Sequence, residues 1–515
     1  MGVRKGVIAL VIVAVATIPL LPVFAHADDA RTLLAEHKAF VGWQFGDGTF
    51  HYLRETGRIA KSTGVGTDRD ATLTILRANT VYRITRTATA TGLHEDNGYT
   101  GNVFWQTDQN GFIRQIIGDA QKAQIAEQLI LTEATTAFDG TLEGNATVNG
   151  TPVTIVRISP AIALPIDLYV DPTTGAYKRV VIDPNGAFRS TIDILSYVDG
   201  PFGKKFIGSY KKSTSRYTTT ITSVEAPSSL DPELFAPPHP TASWSFDPST
   251  TPVPINYQPY NTHRIYLSVR INGVDGKFIL DTGAGAGAGI FLTKGFADKL
   301  KLTPLGSATA VGIGGAVVTK TAKLDTIQIG GNTLRNVVCS YDPLSLDADG
   351  VLGFDLFAGA IVHLDLDAQT LTLYDPSDTD FSALAKGLPL TVDMDDGVPT
   401  VPMMIDGRIP VRAMLDTGNP TYVLFGPDLI DKDHLVTLSR SAVLKGVGGY
   451  EAVDCGAFKS ISLGPITYQR APACQSKALE GHTILVGVDF LRHFNYWFDY
   501  PDSAVVLVPR RPNAP

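Results

Sequence analysis

Lys277 to Gly287 reads KFILDTGAGAG, and Arg412 to Tyr422 reads RAMLDTGNPTY. In each, an apolar run of strand character stops at Asp-Thr-Gly, a triplet that favours a tight turn because Gly tolerates positive φ. Asp281 and Asp416 are therefore predicted at matched strand ends. The triplet alone is a weak signal, but its surroundings recur with it. GIGG at Gly312 to Gly315 returns as GVGG at Gly446 to Gly449, and VLGFDLF from Val351 returns as LVGVDFL from Leu485, with glycines at Gly353 and Gly487. Asp365 in VHLDLD is matched by Asp499 in YWFDYP, and the turn glycine Gly273 by Gly407. The separation is 134 residues throughout, and 135 for the two strand-end aspartates, which marks an internal duplication.

With a strand ending in DTG, a Gly-rich hairpin and a late apolar-apolar-Gly motif, each copy resembles a unit of the retropepsin-like aspartic protease family. The resemblance covers about residues 253–509, half of the chain. It implies a mainly β fold in which two tandem acid-protease β-barrel units form a pseudo-dimer, each lending one catalytic aspartate, Asp281 and Asp416. It further implies that Thr282 and Thr417 brace the two loops and that Gly283 and Gly418 let the backbone approach the carboxylates. The segments Gly312, Ile313, Gly314, Gly315 and Gly446, Val447, Gly448, Gly449 become flaps over a substrate held as an extended strand. Two features depart from the pattern: Asn419 and Pro420 follow the second DTG where a small residue is usual, and the first copy runs into GAGAGAG.

Two carboxylates forced together cannot both ionise cheaply, so one proton is shared and the pair titrates in two steps. The ionised member takes a proton from a bound water while the protonated one polarises the scissile carbonyl, which needs no covalent intermediate, metal or cofactor. A dinucleotide loop fits less well, because the acidic residue lies inside the turn, no βαβ unit follows, and the second copy lacks the glycines. The histidines show no metal spacing, no Gly-x-Ser-x-Gly elbow is present, and Asp393, Asp395 and Asp396 read as a solvated turn rather than a calcium loop.

At the start of the chain, Arg4 and Lys5 precede an apolar run from Val7 to Leu21, and Ala25-His26-Ala27 precedes Asp28. This reads as a signal peptide over residues 1–27, cleaved near Ala27/Asp28, rather than an uncleaved anchor, so a secreted or periplasmic protein without a later membrane span is expected. Its removal leaves 41 basic against 51 acidic residues, a formal charge of −10 without a basic cluster, which argues against nucleic-acid partners.

Residues 28–226 read as an α+β domain. Ala30–Trp43 and Asp119–Phe138 carry helical patterns, and the rest is an antiparallel meander with hairpin turns at Asp171–Gly175 and Asp183–Gly186. LPIDLYVDPTTG, DGPFG and LDPELF give this part a loose resemblance to the lipoprotein-carrier type of open half-barrel. Nine prolines between Pro227 and Pro259 suggest an exposed linker, assigned to 227–252, that few contacts cross and that proteolysis can sever near Val253. The first unit then spans 253–376, a polar connector 377–397, and the second unit 398–510.

Cys455 and Cys474 lie symmetrically about Gly464-Pro465 and are expected to form a disulfide, leaving Cys339 as a free, buried small residue. The leading expectation is a monomeric exported aspartic endopeptidase acting on a peptide or protein substrate. The alternative is a non-catalytic cell-envelope protein that binds extended peptides or lipid.

Overall fold

A computed structural model of the chain describes residues 27–61, 70–213, 217–257, 264–285, 289–342, 346–395, 397–427, 429, 438–479 and 483–510. The predicted export segment up to residue 26, residues 286–288 of the glycine-rich run and Asp396 lie outside them. The fold is mainly β, with three large sheets: thirteen strands between Tyr52 and Glu225, fourteen that include the first DTG copy, and eight that include the second. No described helix is long and apolar enough to cross a membrane.

The thirteen-stranded sheet is antiparallel throughout, and its first strand, Tyr52–Lys61, pairs with its last, Tyr217–Glu225. Helices Ala27–Val41 and Gly118–Leu131 lay Ala30, Leu34, Ala126 and Ile130 against Val156, Ile158, Leu168 and Val180. Full burial of each large aliphatic side chain contributes roughly 1.5–3 kcal/mol. The second helix stops short of the predicted Phe138 because Glu133 adopts φ 56°, after which the chain makes one 3-10 turn, Ala134–Ala137. Burial explains the stop: Glu133 turns its carboxylate to His37 Nε2 at 2.8 Å, and the other ring nitrogen of His37 donates to the Gly175 carbonyl, also at 2.8 Å.

Both DTG copies are built the same way. Strand Ile265–Ile271 turns at Asn272-Gly273 and returns as Val274–Leu280, with Tyr266 opposite Ile279. Strand Val398–Ile405 turns at Asp406-Gly407 and returns as Ile409–Leu415, with Thr400 opposite Met414. Each returning strand gains a parallel neighbour from the late motif, Gly350–Leu352 in the first copy and Thr483–Val486 in the second. Covered on both sides, these strands carry the near-continuous apolar runs that a buried parallel pair needs. The last two strands, Phe494–Asp499 and Ala504–Pro509, form a hairpin that leaves the second copy, and Phe494–Asp499 pairs with Ile361–Asp365 of the first, Asp499 opposite Ile361.

Several local expectations give way to packing. Asp393 and Asp395 do not form a solvated turn: Asp393–Asp395 is a short strand paired with Val398–Thr400, and Asp393 forms an ion pair with Arg412, whose partly buried guanidinium needs a counter-charge. Between Pro227 and Tyr257 the chain is largely exposed, as expected, but it is anchored at intervals. Leu230, Phe235 and Ala242 are buried, and Ser243–Ser245 pairs with Thr333–Arg335. The prolines forbid continuous ladders without preventing burial of the sparse apolar residues between them.

Nor do few contacts join the N-terminal sheet to the rest. Phe112, on a loop of that sheet, sits in the same core as Ile255, Leu334 and Phe357, in space that Gly359 leaves open. The Gln115 backbone N–H donates to the Pro501 carbonyl at 2.9 Å, and Ser503 Oγ donates to the Gln115 carbonyl. Phe112→Ala is expected to cost about 3–5 kcal/mol. A fragment beginning at Val253 loses the same contact and should melt well below the full chain in calorimetry; equal melting temperatures would show the contact to be idle.

Cys455 and Cys474 face each other across strands Gly449–Leu463 and Ile466–Gln475 and are joined by a disulfide. Cys339 faces Ala322 instead, and burial pushes its thiol up to about 12. With a sequence separation of 19, loss of the crosslink in Cys455→Ser is expected to cost about 3 kcal/mol. Denaturant unfolding of the variant beside the oxidised parent reads the difference, and peptide mapping without reductant reads the bond itself.

Candidate active site

The two DTG loops meet. Each strand ends because its aspartate turns the chain: the backbone N–H of Asp281 still donates to Leu352 and that of Asp416 to Val486, both at 2.9 Å, and the next residues curl back over their own carboxylate. Gly283 N–H donates to Asp281 Oδ1 at 2.8 Å; Gly418 and Asn419 N–H both donate to Asp416 Oδ1 at 3.0 Å. Between the loops, Thr282 N–H donates to Thr417 Oγ1 and Thr417 N–H to Thr282 Oγ1, both at 3.0 Å. Each hydroxyl then donates across the interface, Thr282 to the Leu415 carbonyl at 2.6 Å and Thr417 to the Leu280 carbonyl at 3.0 Å. Both threonines are about 1% exposed, so this reciprocal set fixes the loops relative to each other without water.

Gly283 and Gly418 are required by space. A Cβ on Gly283 would fall within the Asp416 carboxyl, and one on Gly418 within that of Asp281. The two carboxyl groups meet at the crossing of the loops, each set against the glycine of the opposite one. Both aspartates are half-buried. Desolvation raises the pKa of both. The charge of Asp281 raises Asp416 much further, whereas the Gly283 and Ala284 N–H groups and the Arg264 guanidinium pull Asp281 back. Both shifts run upward, so the pair favours holding one proton between two carboxyls over full ionisation.

Asn419 does not disturb this arrangement. Its side chain turns away from the carboxyls and accepts from Thr421 N–H at 3.1 Å and Thr421 Oγ1 at 3.0 Å, while its backbone N–H serves Asp416.

The glycine-rich hairpin tips also meet. Gly312 to Gly315 joins strands Gly306–Gly312 and Gly315–Ile329, and Gly446 to Gly449 joins Arg440–Gly446 and Gly449–Leu463. Gly314 N–H donates to the Val447 carbonyl at 3.0 Å, and a Cβ on Gly314 would strike the Gly449 backbone. Val447 packs on the cluster of Tyr266, Ile279, Phe291, Ala310 and Val351, so the second tip leans over the first copy. Ile313 lies beside Gly446.

Sequence reading passed over two residues near the pair. Carrying the hairpin register of Tyr266 opposite Ile279 two positions on puts Arg264 opposite Asp281, and the corresponding count in the second copy puts Val398 opposite Asp416. That arithmetic was open to the sequence. Tyr500, next to the repeat marker Asp499, is fully buried against Phe354 and Phe357, and burial and the charge of Asp281 hold its phenol well above its usual range. Among the described residues, no cluster of three or more His, Cys, Asp or Glu could hold a metal ion.

Residues 267–356 and 401–490 each match the model of the aspartyl protease family. The two matched segments are thus each similar to that family, and they contain the two DTG loops, the two hairpin tips and the late glycine motifs. No curated protein matches the chain. Among solved structures, it is similar to a DUF1329 family protein from Desulfovibrio piger, at 12% identity over 41% of this chain and 97% of that one, with a TM-score of 0.29.

Proposed function

We propose that the chain is an aspartic endopeptidase that completes its own catalytic dyad from its two tandem units, acting as a monomeric pseudo-dimer. The observation that carries this reading is the meeting of the Asp281 and Asp416 carboxyls where the matched loops cross, held by the reciprocal Thr282 and Thr417 bonds. Asp281 takes a proton from a water lying over the pair as that water attacks the peptide carbonyl. Asp416 at the same time gives its proton to the carbonyl oxygen, forming a gem-diol. Collapse of the gem-diol returns a proton to the leaving amine and restores one proton to the pair. Thr282 and Thr417 hold the loops, and the tips at Gly312–Gly315 and Gly446–Gly449 enclose an extended substrate strand. Export is part of the proposal: the leader pattern in residues 1–27 suits it, and a Cys455–Cys474 disulfide suits an oxidising compartment.

Hydrolysis of an unfolded protein substrate by the full chain, blocked by a hydroxyl-bearing tetrahedral mimic and indifferent to chelators and serine or cysteine reagents, tests the reading. A chain that cleaves nothing across the acid and neutral range, or whose activity a chelator removes, would overturn it.

The pH profile has a stated sign. Activity requires one proton on the pair, so it declines as pH rises through the raised pKa of Asp416 and as pH falls through that of Asp281. Arg264→Gln removes a cation that favours ionised Asp281, so the acid limb moves to higher pH. An acid limb that stays in place would show that Arg264 has no electrostatic hold on the pair.

A further inference from the structure

The loop Asp108–Phe112 of the N-terminal sheet does more than fill space in the first unit. Asn110 is fully buried where the two parts of the chain meet. Its Nδ2 donates to Asp355 Oδ1 at 2.6 Å, and its Oδ1 accepts from the Val338 N–H at 2.8 Å. Its carbonyl accepts from the N–H groups of Thr241 and Ala242 at 2.8 and 3.2 Å. Asp355 in turn lies behind the Asp281 turn. Its neighbour Phe354 donates its N–H to the Ala284 carbonyl at 2.9 Å, and a Cβ on Gly353 would lie 2.6 Å from the Asp281 carbonyl oxygen. The second unit manages this position differently, since Asp489, 134 residues on, is partly exposed and pairs with Arg492 of its own helical turn at 3.5 Å.

We propose that Asn110 is a positioning residue for the Asp281 loop, acting through Asp355. The kinetic consequence rests on the protease reading above; the contact does not. The residue type follows from the two bonds. A carboxamide donates to a carboxyl and accepts from an N–H at once, and an aspartate of the same size does both only while protonated. The surroundings reinforce the need for a neutral donor, because the buried Asp108, whose Oδ1 accepts from the Asn110 and Phe112 N–H groups, brings a second carboxyl into the field of Asp355. Burial pushes Asp108 up to about 6 against the pull of Arg114, with Glu95 adding to the rise. Burial and the neighbouring Asp108 hold Asp355 well above the carboxylate range, and Cys339 also lies in its field. Asn110 supplies a side-chain donor to Asp355 alongside the backbone N–H of Ile290.

The test uses the full chain, with denatured casein as substrate. Asn110→Ala is expected to lower kcat by on the order of 10²-fold with KM little changed, as a slightly misplaced carboxylate would. Asn110→Asp is expected to match the parent at acid pH, where the new carboxyl is protonated and donates, and to lose activity at a lower pH than the parent on the alkaline side. Amide hydrogen exchange over residues 280–285 should be faster by about tenfold or more in Asn110→Ala. A parent-like kcat in Asn110→Ala, or an alkaline limb of Asn110→Asp that coincides with the parent's, overturns the inference. If Asn110→Ala fails to fold, the Asn110→Asp profile still decides. A parent chain that leaves casein intact removes the protease reading instead, and the exchange rates then decide the contact by themselves.

Discussion

Asp281→Asn and Asp416→Asn, introduced one at a time, should each lower peptide hydrolysis by on the order of 10⁴-fold or more, and the double change should lower it little further. The expectation follows from the single proton. With Asn at either position a single carboxyl remains, and it can accept the water's proton or protonate the carbonyl oxygen but not both in one step. Each variant therefore breaks the same unit, and effects within a unit do not add. Because Asn is nearly isosteric and the N–H groups of Gly283, Gly418 and Asn419 still find an acceptor oxygen, the folds should survive. The informative outcome is asymmetry. Near-normal turnover in Asp416→Asn beside complete loss in Asp281→Asn would mean that the two units do not share a site.

Gly418→Ala should be almost as damaging without touching a carboxyl. Its methyl group would occupy the place of the Asp281 carboxyl, so that group must swing away from Asp416 or the loop must retreat. A displacement near 1 Å at a reacting group costs on the order of 10²-fold in kcat. Gly283→Ala should do the same to Asp416. Gly295 serves as the control: it lies in helix Lys294–Leu300 with open space where a Cβ would go, so alanine there should raise stability by about 0.5–1 kcal/mol and leave turnover alone. Parent-like kcat in Gly418→Ala would show that the loops do not hold the carboxyls together in solution.

What the sequence disclosed about this site was what lies within a few residues of a repeated signal. Strand ends at Asp281 and Asp416, the hairpins at Asn272-Gly273 and Asp406-Gly407 and the opposition of Cys455 to Cys474 all follow from period-two patterning and turn chemistry, which act locally. Arg264 belongs to the same class, because one hairpin register carries it to Asp281. Asn110 does not. It meets Asp355 across 245 residues of chain, and a lone Asn in a loop carries no mark of what will cover it. The anchoring of the proline-rich stretch went unread for a related reason: composition reports the propensity for ladders, whereas burial of Phe235 and Ala242 depends on surfaces supplied by distant segments. The departure at Asn419 looked more disruptive in sequence than in space, since only its backbone N–H faces the aspartate.

The pairing of Phe494–Asp499 with Ile361–Asp365 also sets an order of events during synthesis. Although the first unit emerges from the ribosome more than a hundred residues earlier, its strand Ile361–Asp365 has one open edge until the final hairpin arrives. The second carboxyl is likewise absent until Asp416 has been made and its parallel neighbour Thr483–Val486 has followed. A nascent chain therefore carries no assembled pair of aspartates while most of it is being translated, and it cannot attack itself or its neighbours in that interval. Premature termination anywhere before residue 494 leaves strand Ile361–Asp365 with an unpaired edge, a feature that quality-control machinery can recognise.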